Sequence, residues 1–171
     1  METERSRIRC RRAAIALLML GVYLEGMEWV DLYPWNNIRG GNGQETLDYI
    51  IAGVVIALAA WLWRGGRVPA LVSAALTAAW TWLQISTWWL PYIEGASPGW
   101  KRVYVKWFAN CVQILPASPN HLPPDANHIV LQLLALGTFA LSVHAAIGEF
   151  RRGSIRDAHV SGQPGKHVGE R

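Results

Sequence analysis

The sequence predicts an all-α integral membrane protein: a four-helix bundle with an additional amphipathic helix at its outer surface. Of its 171 residues 51% are hydrophobic and only 16% are charged, against about 25% in soluble domains. The apolar residues concentrate in four stretches, each long enough to cross a ~30 Å hydrocarbon core as a helix. Most of the ten tryptophans lie near the ends of these stretches, where indole rings favour the membrane interface.

Each apolar stretch is bounded by residues that begin or end helices. The predicted spans, within a membrane domain of residues 13–150, are residues 13–32, 46–63, 69–90 and 126–147. Pro69 suits the first turn of its helix, and Pro91 is expected to end that helix because proline lacks an N–H donor. A short link, Arg64–Arg67, joins the second and third spans. These two spans must therefore be antiparallel neighbours.

The basic residues predict the orientation. Residues 1–12 form a predicted basic cytoplasmic arm, and the polar, aperiodic residues 151–171 form a predicted disordered cytoplasmic tail. These segments and the Arg64–Arg67 link hold most of the Lys and Arg residues, so the positive-inside rule places both termini in the cytoplasm. We expect a bacterial inner membrane. The small size and four-span layout resemble those of the DoxX-type bacterial membrane proteins, a resemblance of topology that covers no motif.

The two long loops are then expected outside. Gly99–Leu115 has the period of an amphipathic helix, which predicts either an interfacial helix or a lid over the bundle mouth. The loop of residues 33–44 is rich in Gly and Asn; it predicts folded turns and matches no phosphate-binding motif. Cys10 and Cys111 fall on opposite sides of the membrane, so a disulfide between them is excluded.

Polar residues recur at matching depths in all four spans. Counting inward at 1.5 Å per residue, one ring lies roughly 9–11 Å below the outer surface and another about 3–6 Å below it. The deeper ring is Glu25, Gln84 and Gln132, and the shallower is Glu28, Asp48, Trp88 and His128. A carboxylate in hydrocarbon costs several kcal/mol, so Glu25 indicates a function. The sequence therefore predicts an outward-facing polar pocket.

The polar residues of the third span also have a purely structural interpretation. Ser73, Thr77 and Thr81 continue the line of Gln84 inward at helical spacing. Such a stripe faces the interior of a bundle, because lipid offers no hydrogen bonds. Hydrogen bonds between helices account for these residues without any ligand.

Three kinds of function fit the pocket. The first is acid/base catalysis, of the isomerase, cyclase or hydrolase type, on an apolar or lipid-like molecule. The candidate catalytic residues are Glu25, Glu28, Asp48 and His128, and the candidate ligand-binding residues are Gln84, Trp88, Trp89 and Gln132. The second is metal binding; no metal or other cofactor is expected, because the sequence lacks the Glu-x-x-His and His-x-x-x-His spacings of metal helices.

The third function is non-enzymatic: an accessory subunit or carrier of a larger membrane complex. The sequence does not decide between an enzyme and this alternative. Expected partners are membrane lipid, an apolar small-molecule ligand, and a larger membrane complex or a homo-oligomer. Nucleic acid is not expected, although the net charge is +4, because the basic residues flank the spans and form no stripe on a soluble domain.

Overall fold

The computed structural model describes residues 2–37 and 45–161, with side chains described for residues 4–37 and 49–154. This part of the chain is all-helical, as predicted, and contains no strand beyond one isolated bridge between Gln113 and Asp125. A π-helical turn, Ile85–Trp89, follows α3 directly. The α-helices are α1 (Glu2–Trp29), α2 (Glu45–Trp63), α3 (Arg67–Gln84), α4 (Leu90–Glu94), α5 (Pro98–Trp107) and α6 (Ala126–Ser161).

Two helical segments are long and apolar enough to cross a membrane, judged by length and composition. They are Arg67–Glu94, which joins α3, the π turn and α4, and the Ala126–Ser154 part of α6. A shorter apolar segment, Tyr49–Trp63, makes up most of α2. In α1 the apolar residues are preceded by the five arginines between Arg5 and Arg12, which lie in the same helix.

The helix α6 packs between α1 and α3 and is antiparallel to both. Along α1 the contacts run from Ser6–Glu149 to Tyr23–Asn127. Along α3 and the π turn they run from Ser73–Ser142 to Trp88–His128. The helix α1 also packs against α2, and a turn with positive φ at Gly65 and Gly66 connects α2 to α3.

The core between α1, α2 and α6 is built largely from small residues. Ala13, Ala14, Ala59 and Ala145 are each at most 2% exposed, and they bring the helix backbones close together. Leu62, which is fully buried, fills the space at one end of this cluster. Small residues at such contacts are typical of helices that pack in a membrane.

The two terminal segments differ from the predictions. Residues 2–12 are the first turns of α1, and the predicted disorder of residues 151–171 is wrong for residues 151–161, which continue α6. The remaining residues, 162–171, lie outside the described part. Contacts hold the first of these added residues: Arg152 pairs with the buried Glu149, and the Arg67 guanidinium lies 5.8 Å from the Phe150 ring centroid.

The prediction that Pro91 ends the third helix is also wrong. The chain passes through the π turn and continues as α4 to Glu94. The Leu90 N–H bonds to the carbonyl of Ile85, five residues earlier, so the regular α-helical ladder is already interrupted where Pro91 follows. The missing N–H of Pro91 therefore costs less than it would inside a continuous α-helix. Gly95, at φ 107°, ends α4 instead.

Candidate functional site

The end of the molecule where α1 ends and α6 begins, here named the cap end, is covered by non-helical segments. The buried Asn36 donates from Nδ2 to the carbonyls of Met27 and Val30, at 2.6 and 2.9 Å. Its Oδ1 accepts from the N–H of Leu32 at 2.7 Å. This side chain folds the predicted turn segment back over the end of α1; residues 38–44 of that loop lie outside the described part.

An Asp–His pair stands at the first turn of α6. Asp125, which is 1% exposed, accepts a hydrogen bond from the N–H of His128 at 2.9 Å and so caps the helix. The same carboxylate contacts His128 Nδ1 with both oxygens, each at 3.0 Å. The His128 side chain is 19% exposed. Because Asp125 occupies Nδ1, it fixes the orientation of the imidazole and directs Nε2 away from the helix cap.

Aromatic rings enclose His128. Its ring centroid lies 4.0 Å from that of Trp88 and 5.1 Å from that of Phe108. Trp88 is 3% exposed and also contacts Phe108 and Trp100, at centroid distances of 4.9 and 5.2 Å. Trp88 lies in the π turn, a feature that occurs frequently at functional sites. The pair therefore has an apolar, π-rich surrounding.

The helix α5 forms the lid predicted as one of two alternatives. It is shorter than predicted, beginning where Ser97 accepts from the N–H of Trp100 and ending at Trp107. Its buried Tyr104 accepts at its hydroxyl from Gln113 Nε2, at 2.7 Å. Burial, with the nearby Asp125 carboxylate, raises the pKa of Tyr104 to about 12. The aromatic side of α5 therefore packs inward over the Asp125–His128 pair.

Cys111 follows α5 in the chain and is buried. Burial, again with the Asp125 carboxylate, raises the pKa of its thiol to about 11. A thiol with so high a pKa is almost entirely protonated near neutral pH and is a poor nucleophile. Cys111 is therefore a packing residue.

The predicted ligand-binding residues of α3 and α6 come together below the Asp125–His128 pair. Trp89 donates from its indole Nε1 to Gln132 Oε1 at 2.8 Å. Gln84 is 9% exposed, and Ser73 and Thr77, further along α3, are also buried; Ser73 bonds to Ser142 of α6. The predicted inward-facing stripe is thus confirmed.

The predicted carboxylate Glu25 of α1 has its hydrogen bond on the α2 side of the molecule. Glu25 accepts from the indole of Trp29 at 3.3 Å, and Trp29 in turn contacts Tyr49 of α2 at 5.4 Å between ring centroids. Glu28, on the same helix, is half-buried. The side chain of Asp48 lies outside the described part. The structure therefore places Glu25 towards α2, and His128 between α6 and α3.

No three His, Cys, Asp or Glu side chains in the described ranges are grouped as a metal site. His121, also at the cap end, is exposed, and its Nδ1 contacts the carbonyl of Tyr92 at 2.8 Å. The arrangement at the cap end therefore supports proton transfer through His128 and hydrogen bonding through Gln84 and Gln132. The described residues at the cap end do not form a set of metal ligands.

The opposite end, here named the arginine end, holds a polar cluster that the sequence analysis missed. The carboxylate of Glu149 is fully buried and accepts from the Ser6 hydroxyl at 2.6 Å. Arg152 Nη2 lies 2.9 Å from the other carboxylate oxygen, and the thiol of Cys10 lies 3.7 Å from the first. In the sequence, this cluster was indicated by the acidic residue Glu149, which comes directly after the apolar stretch of the fourth span.

Comparison of the chain with protein-family models, with characterised proteins and with solved structures gave no match. The resemblance in topology to the DoxX-type proteins gains no support from these comparisons. The function of the chain is therefore inferred from its own side chains.

Proposed function

We propose that the chain is an integral membrane protein with four spans: α1, α2, the segment Arg67–Glu94 and α6. The distribution of side chains supports a lipid environment. Large apolar residues stand exposed on the helices, with Val22 at 74% and Trp82 at 65%, whereas Ser73 and Ser142 are fully buried and bonded to each other. Lipid hydrocarbon would cover the exposed apolar side chains. It would also favour the buried bond between Ser73 and Ser142, because lipid offers these hydroxyl groups no hydrogen bonds.

In this proposal the arginine end faces the cytoplasm and the cap end faces outward. Arginines at the beginning of α1, in the α2–α3 turn and after Glu149 in α6 all lie at the arginine end. The positive-inside rule then gives the orientation. Trp29 and Trp107 at the cap end are at least partly exposed and suit the headgroup region, where an apolar ring with one polar edge is favoured.

We propose further that the cap end binds an apolar or lipid-like molecule and transfers a proton to or from it through His128. The single observation that carries this function is the contact of both Asp125 oxygens with His128 Nδ1. With Nδ1–H donated to the carboxylate, Nε2 keeps a lone pair and acts as a general base. After protonation, the Asp125 carboxylate and the π-face of Trp88 stabilise the imidazolium.

The surroundings of His128 fit an apolar substrate better than a polar one. Trp88, Trp100 and Phe108 supply walls that exclude water and favour hydrocarbon. Glu25 has no part in this step, because its contacts are with Trp29 on the α2 side. The proposal therefore assigns the acid/base role to His128, with Asp125 as the positioning residue.

The test measures chemical change in lipids. Purified protein is reconstituted into vesicles of the total polar lipid of the expression host, incubated in D2O and analysed by lipid mass spectrometry. Wild type should introduce deuterium into one lipid species, or cleave it. His128→Gln should slow that conversion by about 100-fold or more, the usual contribution of a general acid/base. His121→Gln, which changes an exposed histidine of the same end, is the matched control.

The variant Asp125→Asn keeps a good helix cap but removes the negative charge beside Nδ1. We expect it to fold and to slow the conversion. Conversion at the wild-type rate in His128→Gln would contradict the acid/base proposal. If wild type converts no lipid, the alternative function as an accessory subunit or carrier is favoured.

A further inference from the structure

Three polar atoms in the interior below His128 have no hydrogen-bond partner among the described residues. They are the indole Nε1 of Trp80, the amide Oε1 of Gln84 and the amide Nε2 of Gln132, and all three atoms are buried. Buried polar atoms of a folded protein are nearly always paired with protein, water or a ligand. Three unpaired atoms in one region therefore point to a missing partner.

The two amides lie at the same level of the α3–α6 interface. Trp88 stacks on His128, Gln84 precedes Trp88 by four residues, and Gln132 follows His128 by four residues. Because the two helices are antiparallel and rise by about 1.5 Å per residue, Gln84 and Gln132 are opposite each other. The bond from Trp89 to Gln132 Oε1 orients this amide and leaves its Nε2 without a partner.

Trp80 lies one helical turn deeper on the same side of α3. Its ring packs against an apolar cluster of α1 and α6 that consists of Leu20, Leu131 and Ala135. Leu131 lies in the same turn of α6 as Gln132, and Trp80 lies one turn from Gln84 in α3, so the indole and the two amides lie within about one helical turn of each other along the α3–α6 interface. The buried residues of the cluster present hydrocarbon.

Together, the three atoms match the hydrogen-bonding capacity of one hydroxyl group. Trp80 and Gln132 supply two N–H donors, and Gln84 supplies one acceptor. A hydroxyl oxygen has two lone pairs and one hydrogen, which these groups would satisfy completely. A water molecule would keep a second hydrogen without an acceptor against the apolar cluster, whereas an alcohol places hydrocarbon there.

We propose that this region binds the hydroxyl group of an apolar alcohol, whose hydrocarbon part packs against the cluster of Leu20, Leu131 and Ala135. The inference rests on the proposed function, because it names the substrate class of the same site. It predicts that a ligand is selected by its hydroxyl group as well as by its apolar body.

The probe is 1-dodecanol, compared with 1-methoxydodecane and dodecane in detergent micelles. The readout is the indole N–H resonance of Trp80 in a ¹H–¹⁵N spectrum, assigned by its loss in Trp80→Phe. The matched control is Trp82→Phe, which changes a neighbouring indole that is 65% exposed. In wild type, 1-dodecanol should shift the Trp80 signal saturably and dodecane should not. The methyl ether cannot donate to Gln84 and should bind about fivefold or more weakly.

Variants test the two amides separately. Gln84→Met and Gln132→Met should each weaken binding of 1-dodecanol about five- to tenfold, the effect of one lost hydrogen bond. His121→Gln, which changes an exposed histidine at the cap end, should bind 1-dodecanol as wild type does. Binding is measured without any conversion of lipid, so its failure is distinguishable from failure of the acid/base step. The three-probe comparison uses wild type alone, so a variant that fails to fold does not affect it.

Two results would overturn the inference. One is a Trp80 signal that responds equally to the alcohol and to the alkane. The other is a Trp80 signal that ignores 1-dodecanol but shows cross-relaxation with water, which would identify a structural water as the partner.

Discussion

Replacement of Glu149 by alanine should destabilise the protein by about 2–4 kcal/mol. The hydrogen bond from the Ser6 hydroxyl, at 2.6 Å, ends on a charged group and is worth about 1.5–3 kcal/mol. Arg152 is 39% exposed, so its ion pair with the carboxylate adds at most about 1 kcal/mol. The contact of the Cys10 thiol, at 3.7 Å, is weak and adds little.

The measurement is thermal unfolding of the protein in detergent, followed by tryptophan fluorescence. For a chain of this length the predicted loss corresponds to a fall in Tm of about 5–15 °C. Glu149→Gln keeps an acceptor for Ser6 and loses only the charge, so its fall in Tm should be clearly smaller. The control is Glu94→Ala, which removes an exposed carboxylate at the end of α4 and should leave Tm nearly unchanged.

A double-mutant cycle isolates the bond between α1 and α6. Ser6→Ala should lower Tm in the wild-type background and have little effect when Glu149 is already alanine, because the two residues share one interaction. The reasoning is refuted if Glu149→Ala melts within about 2 °C of wild type. It is also refuted if Ser6→Ala costs the same in both backgrounds.

Three further predictions use the same purified protein. Gly21→Ala should lower the free energy of unfolding by about 1–3 kcal/mol, because the new Cβ would lie 2.7 Å from Val55 Cγ1. The control is Gly26→Ala, whose Cβ would meet nothing within 4 Å; it should leave stability unchanged or raise it by up to about 1 kcal/mol in the same thermal melts. Folding raises the pKa of Tyr104 from 10.0 to about 12, so the folded protein keeps the phenol proton to higher pH than the unfolded chain does. This shift stabilises the folded state by about 2–3 kcal/mol below pH 10, and that stabilisation is lost as pH rises from 10 towards 12. Tyr104→Phe should remove this part of the alkaline loss when melts near pH 9 and near pH 12 are compared. Cys111, with a pKa of about 11, should resist iodoacetamide near pH 8 until the protein unfolds, and rapid alkylation of the folded protein, seen by peptide mass spectrometry, would contradict its burial.

The helices could be predicted well wherever hydrophobicity alone sets their limits. The second helix was predicted at 46–63 and is observed as Glu45–Trp63. The third helix was expected to end near Pro91 because the sequence rule for proline assumes an uninterrupted α-helical ladder. The π turn at Ile85–Trp89 breaks that assumption, and it depends on how Trp88 and Trp89 pack against α6. Such packing is not visible in a local sequence pattern.

The sequence predicted how deep each site residue lies along its helix, but not the side of the helix on which it lies. Counting residues placed Trp88 and His128 at one level, and their rings are in contact, because all α-helices rise equally per residue. The same count placed Glu25 in the deeper ring of the same pocket, with Gln84 and Gln132. Glu25 follows Tyr23 by two residues, so it points about 200° away from the side of α1 where Tyr23 bonds to Asn127. Depth carries no information about this rotation.

The partner of Glu149 could not be predicted from the sequence, for a different reason. Its contact with Ser6 joins residues separated by 143 positions in the chain. Neither residue has an unusual local environment in the sequence, apart from the place of the carboxylate at the end of an apolar run. Only the packing of α1 against α6 brings these two residues together.

The position of α6 between α1 and α3 has a consequence for biosynthesis. Ser6, Tyr23 and Ser73 belong to α1 and α3, yet their partners Glu149, Asn127 and Ser142 all belong to α6, which follows the other described helices in the chain. During translation, α1 and α3 are therefore made before the partners of these hydroxyl groups. Both interfaces form only after α6 has been synthesised.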